Sequence, residues 1–206
     1  MLKQTILLLI LGSLTFAQNL PIKKGSEKYY ENGSLKRVRL TQEANVQGKL
    51  CTGWLWFHDD GSIRQFQNDK DIVLQDNLIP QMSTIFLRED GSLDHVWLYH
   101  DISIQDYPCT GSTWSKTSTG FHPNGTLRYF FPRKTLNIQG FPIKPGGLAG
   151  VSFYENGNLH QFYLHDDIEI SGITYSKGLR LTLDEQGNVI KTYKMTFWEK
   201  YFPMFS

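Results

Sequence analysis

The chain is expected to fold as an all-β protein, an elongated antiparallel meander or open sheet of about six repeated β-hairpins. Three observations predict this. One design recurs, in which large or aromatic residues run into a polar pair, then Gly, a small polar residue and an aliphatic one. It reads YYENGSL around Gly33, WFHDDGSI around Gly61, FLREDGSL around Gly91, GFHPNGTL around Gly125, FYENGNL around Gly157 and TLDEQGNV around Gly187. These glycines step along the chain at about 30 residues, the self-similarity of an array whose units bury their apolar faces against one another. No stretch after the first 17 residues sustains a helical period, so little or no helix is expected there.

At each of the six glycines the sequence predicts a hairpin turn. Asn-Gly and Asp-Gly accept positive φ at both corners of a type I′ turn, whose twist matches that of the flanking strands. Gln186-Gly187 is the weakest such pair.

The register extends beyond the turn. Ten residues after a glycine stand Glu43, Asp71, Asp101, Thr135 and Asp167, and three further on stand Val46, Leu74, Ile104, Ile138 and Ile170. Next come VQGKLC, LQDNLI, IQDYPC, IQGFPI and ISGITY. All variation in length falls between that aliphatic residue and the next turn glycine, and the separations differ by even numbers. Two-residue insertions would lengthen a hairpin without turning its apolar face outward, so hairpins of unequal length are expected.

In chain order, residues 1–17 have the form of a cleaved secretory signal. Lys3 precedes an apolar run from Ile6 to Leu11, and Thr15-Phe16-Ala17 is the cleavage site. Secretion or a periplasmic location is therefore expected. Residues 18–194 form the hairpin-repeat domain, and 195–206 an aromatic cap or tail with Phe197, Trp198, Tyr201, Phe202 and Phe205. The alternative for this tail is a docking segment.

Lys and Arg number 21 against 20 Asp and Glu, and loss of Lys3 with the leader brings the formal charge to zero. That balance disfavours nucleic acid as a partner. No run after the leader is long and apolar enough for a helical membrane span.

Candidate chemistry is sparse. Cys51 and Cys109 share a repeat position with Ile79, Ile143 and Tyr175, an apolar position, so two buried thiols are expected rather than a disulfide. His58 and His122 also share a position, but no histidine pattern has metal-ligand spacing, and no metal is expected. The acidic column from Glu43 to Asp167 reads either as calcium ligands or as caps that bond backbone N–H groups. Thr135 in the same column favours the caps. No phosphate loop, dinucleotide fingerprint or nucleophile–base pair occurs, so neither cofactor nor catalytic residue is expected.

The unit Y/F-x-x-N/D-G-S/N-L, repeated through most of Tyr29 to Tyr193, resembles the MORN-repeat variant family of bacterial proteins. The period here is longer than the family's. Most units also lack its Gly-x-W/Y-x-x-Tyr spacing, which Gly53-Trp54-Leu55-Trp56-Phe57 approaches most nearly. The resemblance implies an extended hairpin array used for protein or surface contacts, and no catalytic residues.

The expected function is thus an exported, non-enzymatic module that binds a protein or cell-envelope partner. Its candidate binding face is Trp54, Trp56, Trp97, Tyr99 and Trp114, aromatic types that anchor interfaces when exposed. The alternative is a carbohydrate-binding or glycan-hydrolysing protein using aromatics with Asp59/Asp60 or Asp166/Asp167. Adjacent carboxylates on a strand or turn point apart, whereas glycoside hydrolysis needs two that face each other across a cleft.

Overall fold

The computed structural model describes residues 20–112, 117–146 and 149–194. The leader, Trp114 and the aromatic tail 195–206 lie outside the described residues. Those described hold no helix, and their strands pair antiparallel. They belong to two compact units, 1–99 and 100–206, that divide inside the run of repeats.

In the first unit the strands are β1 (Lys28–Tyr29), β2 (Leu35–Arg39), β3 (Ala44–Val46), β4 (Lys49–Phe57), β5 (Ile63–Gln67), β6 (Ile72–Leu74), β7 (Asn77–Ile79), β8 (Thr84–Leu87) and β9 (Leu93–Trp97). The second has β10 (Ile102–Ile104), β11 (Tyr107–Cys109), β12 (Ser118–Phe121), β13 (Leu127–Phe130), β14 (Leu136–Ile138), β15 (Phe141–Ile143), β16 (Val151–Phe153), β17 (Leu159–Tyr163), β18 (Ile168–Ile170), β19 (Ile173–Tyr175), β20 (Leu179–Leu183) and β21 (Val189–Lys194). Long hairpins around the six glycines build a sheet in each unit, β1-β2-β4-β5-β8-β9 and β12-β13-β16-β17-β20-β21. Short hairpins alternate with them: β3 with the start of β4, then β6–β7, β10–β11, β14–β15 and β18–β19.

The turns differ from the expected type. The six glycines have φ between 80° and 88°, but the residues before them do not share the left-handed conformation. At the first, Gly33 N–H donates to Tyr30 O (3.0 Å) and Tyr30 N–H to Ser34 O (2.9 Å). This is a type I turn closed by a left-handed glycine bulge. The cause is the side chain before the glycine. Asn32 Oδ1 accepts bonds from the N–H and hydroxyl of Ser34, and Asp60 Oδ1 from those of Ser62, which holds that corner right-handed. One residue beyond each turn then falls out of register, as between Ser152↔Gln161 and Phe153↔Leu159.

Type I′ turns are present in the short hairpins instead. Gln47 and Gly48 have φ of 50° and 77°, Gln105 and Asp106 of 49° and 67°, Gln139 and Gly140 of 53° and 87°. A glutamine in this region is strained, and its side chain shows the compensation. Gln139 Nε2 donates to Gly157 O (2.9 Å) while its Oε1 accepts from Leu159 N–H (3.0 Å). Gln47 grips the Gly61 turn in the same way, and Gln105 the Gly125 turn. These three short hairpins thus each hold the next long turn in place.

The even-numbered length variation is not in the hairpins, which overturns the reading of unequal hairpins. The short ones are uniform, and the extra residues fall in connectors such as those between Ile79 and Thr84 or Tyr175 and Leu179. Loops absorb insertions of any parity at small cost.

The core lies between each sheet's inner face and the short hairpins that cross it. Val38, Leu55, Phe66, Ile85 and Val96 are buried in the first unit, Phe121, Phe130, Phe162 and Leu181 in the second. Tyr107 of β11 packs 5.3 Å from both Phe130 and Phe153, and Phe141 of β15 packs 4.9 Å from Phe162. Cys51 and Cys109 are free and buried, as their shared position implied. In the last repeat this layer is thinner: Ile173 is 57% exposed and Ile190 62%.

Candidate functional site

Among the described residues no short hairpin crosses the outer face of either sheet, and the two units treat that face differently. In a strand, residues directly opposite one another share a face. In the first unit the pairs Arg37↔Trp56, Trp56↔Gln65, Gln65↔Phe86 and Phe86↔His95 therefore place Arg37, Trp56, Gln65, Phe86 and His95 in one outward row. Beside it stand Arg39↔Trp54 on β2 and β4, and Gln67↔Thr84 with Thr84↔Trp97 on β5, β8 and β9; between the two groups the register shifts, so that Gln67 faces Thr52. Their neighbours Val38, Leu55, Phe66, Ile85 and Val96 point inward and are buried, so the alternation of the strands fixes the face.

Two clusters stand on this face. On β2 and β4 the Arg37 guanidinium lies 5.1 Å from the centre of the Trp54 ring and 4.9 Å from that of Trp56. On β8 and β9 the Phe86 ring stacks on His95 at 4.0 Å, with the edge of Trp97 at 4.6 Å. His95 Nδ1 is 2.7 Å from Asp94 Oδ2, and Asp94 Oδ1 accepts from Arg88 at 2.9 Å, so the imidazole is held from behind. Strand β5 separates the clusters and contributes the shorter amides Gln65 and Gln67. With strands about 4.8 Å apart, Trp56 and Phe86 rise about 10 Å from each other on either side of this amide floor.

Trp54 is 41% exposed and Tyr99 40%, while Trp56 and Trp97 are half-buried. The structure therefore brings Trp54, Trp56 and Trp97 onto one face, with Tyr99 two residues beyond Trp97 in the same alternation. Arg37, Gln65, Phe86 and His95 were not among the residues expected to form the binding face. Nothing in the sequence marked Arg37, and only strand pairing shows that it opposes Trp56.

In the second unit the corresponding positions are small. Tyr129 covers Gly120 so closely that a Cβ there would lie 2.2 Å from Tyr129 Cε1, and Phe131 lies over Gly150. Arg128 stacks on Tyr129 and Arg180 on Tyr193. Tyr129 and Phe131 thus lie over glycines instead of standing out from the sheet.

The remaining candidates have structural duties. His58 Nε2 is 3.0 Å from Leu87 O and His122 Nε2 3.1 Å from Phe153 O. Tyr30 and Tyr154 occupy the same repeat position and donate to Phe57 O and Leu183 O, both at 2.8 Å. This position therefore ties one long hairpin to the next. In the acidic column, Asp71, Asp101 and Asp167 each accept from the backbone N–H ten residues on, at Gln81, Gly111 and Lys177, and so close the short hairpins. Among the described residues no group of three or more ligand side chains is arranged to hold a metal. In the two Asp pairs, Asp60 and Asp167 are bonded to turn amides, and the Ser62 bonds hold the Asp60 carboxyl below its ordinary value. Burial pushes both thiols up to about 12, far from a reactive thiolate at neutral pH.

No known family model and no curated protein matches the chain. Among solved structures it is similar to alternansucrase in complex with isomaltotriose, at 16% identity and a TM-score of 0.17, over 81% of this chain and 10% of that one. It is also similar to the modular autolysin LytC from Streptococcus pneumoniae, at 11% identity and 0.15, over 84% of this chain and 47% of LytC. LytC in complex with a synthetic peptidoglycan ligand gives 12% and 0.13 over the same shares. The chain thus spans under half the length of each, and likenesses this slight say nothing of its activity.

Proposed function

We propose that the chain is an exported, non-enzymatic binding module whose contact surface is the outer face of the first unit's sheet. The observation that carries this is the arrangement of Trp54 and Trp56 around Arg37. Two large rings and a guanidinium are held in register on a face that no hairpin crosses among the described residues, outside the buried core. Rigid aromatics and arginine are the residue types that dominate binding energy when a partner buries them. The second unit answers the same topology with Gly120 under Tyr129 and Gly150 under Phe131, so the sheet itself does not require protruding indoles. The leader-like residues 1–17 support export, and the likeness of the hairpin unit to MORN-variant repeats supports a contact role. Glycan hydrolysis draws no support from the Asp pairs, each of which has a member bonded within its own turn.

Affinity capture from envelope and medium fractions of the source cell tests this reading. The wild-type protein is expected to retain one stoichiometric partner, and Trp54→Ala/Trp56→Ala to lose it while keeping its circular dichroism. Undiminished capture by the folded variant would refute it.

A further inference from the structure

The donors on this face exceed the acceptors. Among the described residues no carboxylate or carbonyl accepts a hydrogen bond from the Arg37 guanidinium, whose recorded contacts are the two indole rings. A stacked guanidinium keeps its N–H groups in its own plane, free for a planar anion. The indole N–H groups of Trp54 and Trp56 and the Gln65 amide likewise make no hydrogen bond among the described residues, although Trp56 and Gln65 are half-buried.

The charge is one-sided. Lys28 sits directly opposite Arg37, and Arg39 follows on the same face of β2. The outward positions of β1, β2, β4 and β5 include no carboxylate. Like charges directly opposite on a sheet repel, and a bound anion would relieve that repulsion. The row from Arg37 across Trp56 and Gln65 to Phe86 and His95 spans about 19 Å at ordinary strand spacing, the reach of an extended chain and not of a single small ion.

We propose, resting on the binding reading above, that this strip takes an acidic polysaccharide, a chain of carboxylate-bearing sugars. Arg37 receives the sugar carboxylate, the exposed surface of Trp54 stacks against the apolar ring face of a sugar, and Gln65 with the indole N–H groups bonds hydroxyls. A protein partner fits less well, because lysine is depleted from the centres of protein interfaces, whereas here Lys28 faces Arg37 with no carboxylate on the neighbouring outward positions. The sheet face also offers a peptide no free backbone edge to pair with.

The test is retention of the purified protein in gels containing polygalacturonate or the same polymer with its carboxylates methyl-esterified. Wild type is expected to be retained by the free acid at least about tenfold more strongly than by the ester. Arg37→Gln is expected to lose about tenfold on the free acid and to leave the ester unchanged, and Trp54→Ala to weaken both, with thermal midpoints confirming that each variant folds. Equal retention of acid and ester would overturn the proposal. So would dextran sulfate binding that equals the polygalacturonate signal and is indifferent to Trp54→Ala, since that is ion exchange alone. If neither polygalacturonate nor its ester is retained while envelope capture still depends on Trp54 and Trp56, the acidic-glycan inference falls and the binding face stands. If the Trp variants change neither measurement, both readings fall.

Discussion

Gln47 holds Gly61 from the neighbouring hairpin, with its Nε2 2.8 Å from the glycine carbonyl. Its Oε1 accepts from Ile63 N–H two residues on, so one amide grips both sides of the turn. The same grip recurs at Gln105 and Gln139 and makes a strained corner of each short hairpin useful to the next long one. Removing it separates two effects. Gln139→Ala loses both bonds and keeps a left-handed residue, at a cost of about 1–2 kcal/mol. Gln139→Gly loses the same bonds but relieves the strain, and is expected to be about 1 kcal/mol more stable than the alanine variant. Urea unfolding measures both. Equal stabilities would mean that the corner carries no strain.

Gly120 lies beneath the ring of Tyr129, which is fixed by a 3.0 Å bond between its hydroxyl and Ser118 Oγ. Gly120→Ala forces the ring off the sheet and is expected to cost about 1–3 kcal/mol. In a Tyr129→Ala background the same change should be neutral or stabilising, because glycine inside a strand is otherwise unfavourable. A double-mutant cycle without coupling would contradict this packing.

The two thiols set a pH and reactivity signature. Burial raises both towards about 12 from an ordinary 9.0, so the folded chain keeps protons that the unfolded chain releases. Their contribution is fully present below pH 9 and is lost as pH climbs towards 12. Native protein at pH 8 is expected to resist a thiol reagent that labels both cysteines in denaturant. Stability should fall between pH 8 and 10.5, and less steeply in Cys51→Ala/Cys109→Ala than in wild type. Rapid labelling of native protein would contradict the burial.

The last repeat is expected to be the softest described part of the second unit. Ile138 and Ile143 are buried in the fourth short hairpin, whereas their counterparts Ile170 and Tyr175 are partly exposed and Ile173 largely so. Amides of β18 and β19 should therefore exchange with solvent faster than those of β14 and β15. Equal protection would mean that another part of the chain covers them.

Much of this fold was legible because its signals are local or periodic. Glycines recurring about every 30 residues marked the hairpins, and the interchange of Cys109 with Ile143 marked a buried position. Thr135 in the acidic column pointed to capping. The turn types were misread because dipeptide preference is weighed against what each side chain bonds. Asn32 is held right-handed by Ser34, whereas Gln139 is held left-handed by a turn in the next hairpin, a reward invisible to local reading. The shared face of Trp54, Trp56 and Trp97 was expected from the sequence, but Arg37 beside it was not, since an arginine in LKRVR reads as solvated surface until strand pairing places it opposite Trp56.

The most direct measurement is oxidative footprinting of the tryptophans and tyrosines, read by mass spectrometry with and without the source cell's envelope fraction. In the free protein Trp54 should be modified faster than Trp97, in keeping with its greater exposure. In the bound protein Trp54 and Trp56 should be protected while Tyr129 and Tyr193 keep their free rates. Protection confined to the second unit, with Trp54 and Trp56 still oxidised at their free rates, would contradict the account.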